Sequence, residues 1–235
     1  MDEDITAGPL RERVRAACAG ALAAGALGPI DTREERFSER GVEFRLRTVA
    51  SLARKQAAAA AAGNAGDPFA PPYEPELHVG PVAPAHVGLL NKFPVLDTHL
   101  LVVTREWASQ DGALDQGDCE ALLRALAAGD GLAFYNGGET AGASQPHRHL
   151  QWVGLDERPP LEAPIAAGQA LGFPYAAEPL RSQWLEQPTA GAEALHACYA
   201  RLLAAIGRAP GGRLPCEPAP YNLVATRDTI WAVPR

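Results

Sequence analysis

Residues 135–153 read Tyr135-Asn136-Gly137-Gly138-Glu139-Thr140-Ala141-Gly142-Ala143-Ser144-Gln145-Pro146-His147-Arg148-His149-Leu150-Gln151-Trp152-Val153. A strand-like start, a turn of small residues and an alternation of polar and apolar side chains follow one another. Ser144 to Val153 is expected to be a strand. Alternate side chains share one face of a strand, so His147, His149 and Gln151 line up about 6–7 Å apart, with Arg148, Leu150 and Trp152 on the other face. Gly137-Gly138 and Ala141-Gly142-Ala143-Ser144 form a turn whose backbone amides, with the Ser144 hydroxyl, can approach a phosphate closely. A phosphate cradle beside a histidine nucleophile is what nucleotidyl transfer needs. His-x-His also begins many zinc sites, but Gln151 is a poor third ligand, His99 would have to be recruited from elsewhere, and no metal is expected. Two histidines that merely cap a sheet edge are the remaining structural alternative.

Outward from this stretch, His86 to Leu90 and His99 to Thr104 are short branched runs joined by Asn91-Lys92-Phe93-Pro94 and look like adjacent strands. Cys119, Leu122, Leu123 and Leu126 recur at helical spacing, so a helix is expected from Gly117 to Ala128. Gly131 to Asn136 reads as a strand. Further out, a helix is expected from Leu10 to Leu27, stopped by Gly28-Pro29, and a strand over Val42 to Thr48. The alanine-rich run from Gln56 to Gly66 reads as a mobile loop and Asp67 to Pro72 as an extended connection. Pro159 to Ala192 is loop-rich and gives no clear pattern. An amphipathic helix follows from Ala194 to Ile206, and two strands, Tyr221 to Thr226 and Ile230 to Val233, end the sequence. Consecutive strands without intervening helices favour an antiparallel α+β fold, taken as one domain over 1–235. No Gly-x-Gly-x-x-Gly or Walker pattern occurs.

Composition narrows the function classes. Twenty-eight acidic against 21 basic residues disfavour nucleic-acid backbone as a partner. No apolar run is long enough to cross a bilayer and the N-terminus is acidic, so a soluble, cytoplasmic protein is expected. Cys18, Cys119, Cys198 and Cys216 form no Cys-x-x-Cys pair and read as free thiols. The only lysines, Lys55 and Lys92, stand among many arginines, which singles them out as candidate phosphate ligands.

The run from Asn136 through Gly142-Ala143-Ser144-Gln145-Pro146-His147-Arg148-His149-Leu150-Gln151 resembles the signature of the transferase branch of the histidine-triad superfamily, in which glutamine replaces the third histidine. Within that branch, four further blocks resemble the diadenosine tetraphosphate phosphorylase (ATP adenylyltransferase) family. They are Leu90-Asn91-Lys92-Phe93-Pro94-Val95 with His99 to Thr104, Gly172-Phe173-Pro174-Tyr175, Pro220-Tyr221-Asn222-Leu223, and Trp231-Ala232-Val233-Pro234-Arg235. Members usually run on past the last block, so a shortened member or a trimmed sequence is expected. Gln56 stands where proline is common, which weakens the case for Lys55.

The resemblance implies a histidine-triad-like antiparallel sheet with flanking helices. It also implies that His149 attacks the α-phosphorus of a diadenosine polyphosphate, releases ATP, and passes AMP to inorganic phosphate as ADP. His147 would supply or orient the carbonyl that fixes the His149 tautomer, and Gln151 would stabilise phosphoryl charge by donating its amide N–H. Because the leaving polyphosphate needs no strong acid and phosphate is already anionic while water needs a base, glutamine favours transfer over hydrolysis. Asn136, Gly142, Ala143, Ser144, Gln145, Lys92 and Lys55 would bind substrate. Asn91 faces ribose or phosphate, or is a turn residue. His99 is expected behind the reacting atoms, and His78, His86 and His196 are expected to be structural, the last on the exposed side of its helix. No cofactor is obligatory, and Mg2+ enters at most with the nucleotide. The oligomeric state is not indicated. Competing readings are a dinucleotide hydrolase, a hexose-1-phosphate uridylyltransferase, whose usual zinc-binding cysteine pairs are missing, and a non-catalytic nucleotide-binding regulator.

Overall fold

The alternation after His149 becomes a central strand of an eight-stranded sheet. The computed structural model describes residues 7–28, 32–39, 42–49, 66–94, 96, 98–208 and 219–235. In chain order the elements are α1 (Ala7–Ala23), β1 (Thr32–Glu39), β2 (Val42–Val49), β3 (His78–Ala83), β4 (His86–Leu90), β5 (His99–Thr104), α2 (Gln116–Ala127), β6 (Gly131–Gly137) and β7 (His149–Gly154). Then come α3 (Glu162–Ala166), β8 (Ala176–Pro179), α4 (Ser182–Glu186), α5 (Pro188–Ala205), β9 (Tyr221–Ala225) and β10 (Thr229–Pro234). The sheet order is β3-β4-β5-β7-β6-β9-β10-β8, and β1 with β2 forms a separate hairpin. Every pairing is antiparallel.

The period of two sorts each strand into two faces. Leu100, Val102, Leu150, Trp152 and Tyr135 point into the main core, which they share with Leu10 of α1, Leu122 and Leu126 of α2, and Leu195 and Leu202 of α5. The other face carries two smaller apolar patches, one of Phe69 with Val87, Leu89, Leu101 and Val103, the other built on Ile165, Leu171 and Trp231. Val103 opposes His149, Leu101 opposes Gln151, and Asn136 opposes Asn222. His99, Gln151, His149, Asn136 and Asn222 therefore share the face turned away from α1, α2 and α5, between those patches.

Several sequence expectations need correction. The strand expected over Ser144 to Val153 begins only at His149; upstream, His147 makes a lone bridge to Ser109. Pro146 has no N–H to donate, and its carbonyl and the Arg148 N–H pair with Gln110 and Ala108 (both 2.8 Å) instead of with β6. α1 runs from Ala7 to Ala23 and ends on Gly25 at φ 68°, before the expected Gly28-Pro29 stop. Asp67 to Pro72 contains a turn at Pro68-Phe69. The stretch read as loop-rich from Pro159 holds α3, β8 and α4, and α5 starts at Pro188, where proline suits a first helical turn. The mobile loop expected before Gly66 lies outside the described residues.

Candidate active site

β6 and β7 are paired from Gly131–Gly154 to Phe134–Gln151 and then part. Into the opening goes the side chain of Gln110, which is 1% exposed. Its Nε2 donates to the Asn136 carbonyl at 2.9 Å and, more weakly, to the His149 carbonyl at 3.3 Å, while its Oε1 accepts from the His149 N–H at 2.8 Å. One carboxamide thus replaces the missing rung of the ladder, and the Gln110 carbonyl is itself held by the Tyr135 hydroxyl. The wedge keeps the sheet open where His149 sits. Gln110→Ala leaves two buried backbone groups unpaired, so we expect a loss of about 2–4 kcal/mol in denaturant unfolding and a fall of roughly 10²-fold in turnover as the nucleophile moves. Wild-type melting and rate in this variant would remove Gln110 from the site.

His149 is 3% exposed, and its Nδ1 donates to the His147 carbonyl at 2.9 Å. That bond fixes the proton on Nδ1 and leaves Nε2 with its lone pair, free of any hydrogen-bond partner among the described residues and not fully enclosed. Burial lowers the His149 pKa, the bond to the His147 carbonyl works against this, and the His147 ring adds to the lowering. The Phe69 ring meets His149 edge-on with centroids 5.0 Å apart. His147 differs: its Nδ1 lies 2.5 Å from Asp67 Oδ2 and its Nε2 2.9 Å from the Thr104 carbonyl. With both ring nitrogens occupied, His147 is a support and His149 is the ring able to react.

The other expected site residues divide clearly. Gln151 Oε1 lies 2.9 Å from His99 Nε2, and His99 Nδ1 lies 3.2 Å from Asn91 Nδ2. Asn91 Oδ1 accepts from the Phe93 N–H at 3.0 Å, so Asn91 is a turn residue with its amide engaged at both ends. Asn136 Oδ1 accepts from Asn222 Nδ2 at 2.8 Å, which also donates to the Ala141 carbonyl at 2.8 Å, and Arg235 holds the Asn222 oxygen. Asn136 Nδ2 is thereby turned toward the loop, 3.4 Å from the Gly142 carbonyl.

That loop contains a 3-10 turn, Glu139–Ala141, between Gly138 at φ 92° and Gly142 at φ 99°, backbone that only glycine adopts without strain. The Gly142 and Ala143 amides close the turn on Glu139 and Gly138, whereas those of Ser144 and Gln145 have no partner among the described residues. The exposed Ser144 hydroxyl is unbonded too. Lys92 forms an exposed ion pair with Glu74 at 2.8 Å, and Lys55 lies outside the described residues. His196 is half-buried, not exposed as expected, and bonds the Leu114 carbonyl at 3.1 Å. Among the described residues no group of three or more His, Cys, Asp or Glu is placed to hold a metal ion, and no helix is long and apolar enough to cross a membrane.

Gln110, Asp67 and Asn222 were not singled out by sequence reasoning. Asn222 alone had a signal, its place in the Pro220-Tyr221-Asn222-Leu223 block. Together, a free imidazole nitrogen, two free backbone amides and two oriented carboxamides suit nucleophilic attack on a phosphate ester.

Residues 1–168 match the family model for the Ap4A phosphorylase N-terminal domain, and residues 169–235 that for the ATP adenylyltransferase C-terminal domain. Protein APA1 of Saccharomyces cerevisiae is 30% identical over 174 residues, covering 64% of this chain and 54% of that protein. Diadenosine 5',5'''-P1,P4-tetraphosphate phosphorylase 2 of the same yeast is 36% identical over 106 residues, covering 40% and 33% respectively. The chain spans about half the length of the first of these relatives and a third of the second. The crystal structure of yeast Ap4A phosphorylase Apa2 superposes with a TM-score of 0.77 at 24% identity, over 96% of this chain and 78% of that one. The same protein in complex with AMP gives 0.73 at 25%, over 96% and 79%.

Proposed function

As the chain belongs to the Ap4A phosphorylase family, we propose that it moves an adenylyl group from a diadenosine polyphosphate to inorganic phosphate, with His149 carrying the group between the two. His149 Nε2 forms a bond to the α-phosphorus as the bond to the ATP leaving group breaks. A phosphate oxygen then attacks the same phosphorus, the P–N bond breaks, its electron pair returns to the imidazole, and ADP leaves. The observation that carries this reading is the bond from His149 Nδ1 to the His147 carbonyl, which aims the lone pair of an uncharged ring out of the sheet.

Asn136 and Gln151 would donate to the non-bridging oxygens, with the Ser144 and Gln145 amides and the Ser144 hydroxyl on the neighbouring phosphate. Lys92 would exchange Glu74 for the polyphosphate, since an exposed pair of this kind is worth only about 0–1 kcal/mol. Lys55 is assigned the same charge-offsetting role on sequence grounds, and Mg2+ would arrive with the polyphosphate. The unpaired thiols of Cys18, Cys119 and Cys198 support a reducing, cytoplasmic setting.

The test is to incubate the protein with diadenosine tetraphosphate, with and without phosphate, and separate the products by chromatography. ATP plus ADP, dependent on phosphate, is expected. ATP plus AMP without phosphate would make the protein a hydrolase, and binding without turnover would make it a regulator.

The pH dependence has a fixed sign. Attack requires neutral His149, and burial holds its pKa below the ordinary histidine value, so the reactive form persists below pH ~6.5. Single-turnover adenylylation should lose rate only at pH values below that point. An acid limb centred above it would contradict the buried, neutral nucleophile.

A further inference from the structure

The Phe93 backbone N–H can only donate, and it donates to Asn91 Oδ1 at 3.0 Å. That settles which end of the Asn91 amide is oxygen, so the end 3.2 Å from His99 Nδ1 is the NH2 group, and Nδ1 must be the acceptor. A ring that accepts on Nδ1 carries its proton on Nε2, and that N–H donates to Gln151 Oε1 at 2.9 Å. Protonating His99 would set an N–H against the Asn91 NH2 group. Burial independently keeps this ring neutral by lowering its pKa, with the bond to Gln151 acting in the opposite sense and His149 adding to the lowering. Each link dictates the next, from a main-chain donor to the Gln151 carboxamide two residues beyond the nucleophile.

We infer that Asn91 and His99 are positioning residues that fix the Gln151 carboxamide with its NH2 group toward the bound nucleotide, and that this orientation makes phosphate rather than water the acceptor. The inference rests on the reaction proposed above. With its oxygen tied to His99, Gln151 presents only donors to the site. Donors suit phosphoryl oxygens and an anionic nucleophile, which brings its own electron pair and has no proton to lose. Water must shed a proton as it forms the P–O bond and benefits from an acceptor that orients it, a role a glutamine carbonyl fills in GTP hydrolysis. His99 denies water that carbonyl. The adenylyl group on His149 therefore waits for phosphate, and the missing third histidine explains only half of the preference. The other half is the locked direction of the amide that replaced it.

His99→Phe keeps a flat ring but removes the N–H, freeing Gln151 to turn its oxygen inward. Asn91→Leu leaves the His99 and Gln151 side chains themselves unaltered and removes the donor that fixes the His99 tautomer, together with the acceptor for the Phe93 N–H. Each variant is first checked for covalent labelling by diadenosine tetraphosphate carrying radiolabelled adenylyl groups, which reports an intact fold and nucleophile. The labelled product formed at fixed phosphate is then resolved into ADP, from transfer, and AMP, from hydrolysis. We expect the AMP-to-ADP ratio to rise about fivefold or more in His99→Phe, the population change that one hydrogen bond sets, and to rise in the same direction, by less, in Asn91→Leu. A purely structural role would slow both products together and leave the ratio alone. Wild-type ratios in variants that still take up label overturn the inference, and Asn91→Leu decides the matter if His99→Phe does not fold. If the wild-type protein itself makes no ADP from phosphate, the proposed reaction falls and this inference falls with it; ADP from the wild type with an unmoved ratio in the variants sinks the inference alone.

Discussion

Replacing His149 by alanine is expected to abolish acid-labile labelling of the protein by radiolabelled diadenosine tetraphosphate and to lower turnover by about 10⁴-fold or more, the scale seen when a covalent nucleophile is deleted. No neighbouring ring can take over. His147 is committed at both nitrogens to Asp67 and the Thr104 carbonyl, and His99 Nε2 is directed at Gln151. The fold should survive, because the backbone N–H of residue 149 still meets Gln110 Oε1 and the β5 pairing through Val103 is a main-chain feature. Binding of the dinucleotide, measured by calorimetry, should therefore persist while labelling disappears. Residual labelling in this variant would move the covalent step to another residue. Lost binding with a lost fold would instead show the ring to be a packing element.

What the sequence revealed and what it hid follow from physical range. α2 was legible because its apolar residues recur at helical spacing, a local property, and the structure adds a cap at Asp115 on its first turn. β4 and β5 were legible because branched runs bounded by turn residues have few other solutions, and β6 because an apolar and aromatic run is bounded by glycines. The orientation of His149 was legible too, since its carbonyl partner lies only two residues upstream. By contrast, β7 was started too early because nothing local says that residues 146–148 pair with residues 108–110. Gln110 was invisible for the same reason: an ordinary glutamine in a polar turn acts as a ladder rung only after three segments have come together. Asp67 lies 80 positions from His147, and its role depends wholly on that loop folding back over the histidines. Lys92 was singled out by its rarity, whereas its pairing with Glu74, 18 positions upstream, has no local signal either.

The largest stability effect is expected at Asp118, on the helix side of the sheet from the nucleophile. Asp118 is 1% exposed, and its carboxylate meets His86 Nε2 at 2.9 Å through Oδ1 and Arg148 Nη1 at 2.9 Å through Oδ2. Oδ2 also accepts from the Asp115 N–H, while Asp115 Oδ1 accepts from the Asp118 N–H, so the same side chain closes the capping box of α2. Burial alone would raise the Asp118 pKa, but the His86 bond, the Arg148 charge and the Asp115 N–H outweigh it and hold the carboxyl below its ordinary value. Asp118→Ala strands the Arg148 guanidinium, left with the Ser109 carbonyl, and the His86 ring, whose Nδ1 is already buried without a partner. Breaking one side of a buried pair typically costs about 3–5 kcal/mol, which for a chain of this length lowers Tm on the order of 10 °C. A carboxyl depressed in the folded state stabilises the fold above its unfolded pKa and stops doing so as pH falls through the folded value. The gap between wild type and Asp118→Ala in denaturant unfolding should therefore hold from neutral pH down to about 4 and narrow below that. Asp118→Asn, which keeps the shape and one acceptor, should lose less. A loss under about 1 kcal/mol in Asp118→Ala would mean that Arg148 and His86 find other partners, and that this cluster does not anchor the strand carrying the nucleophile to α2.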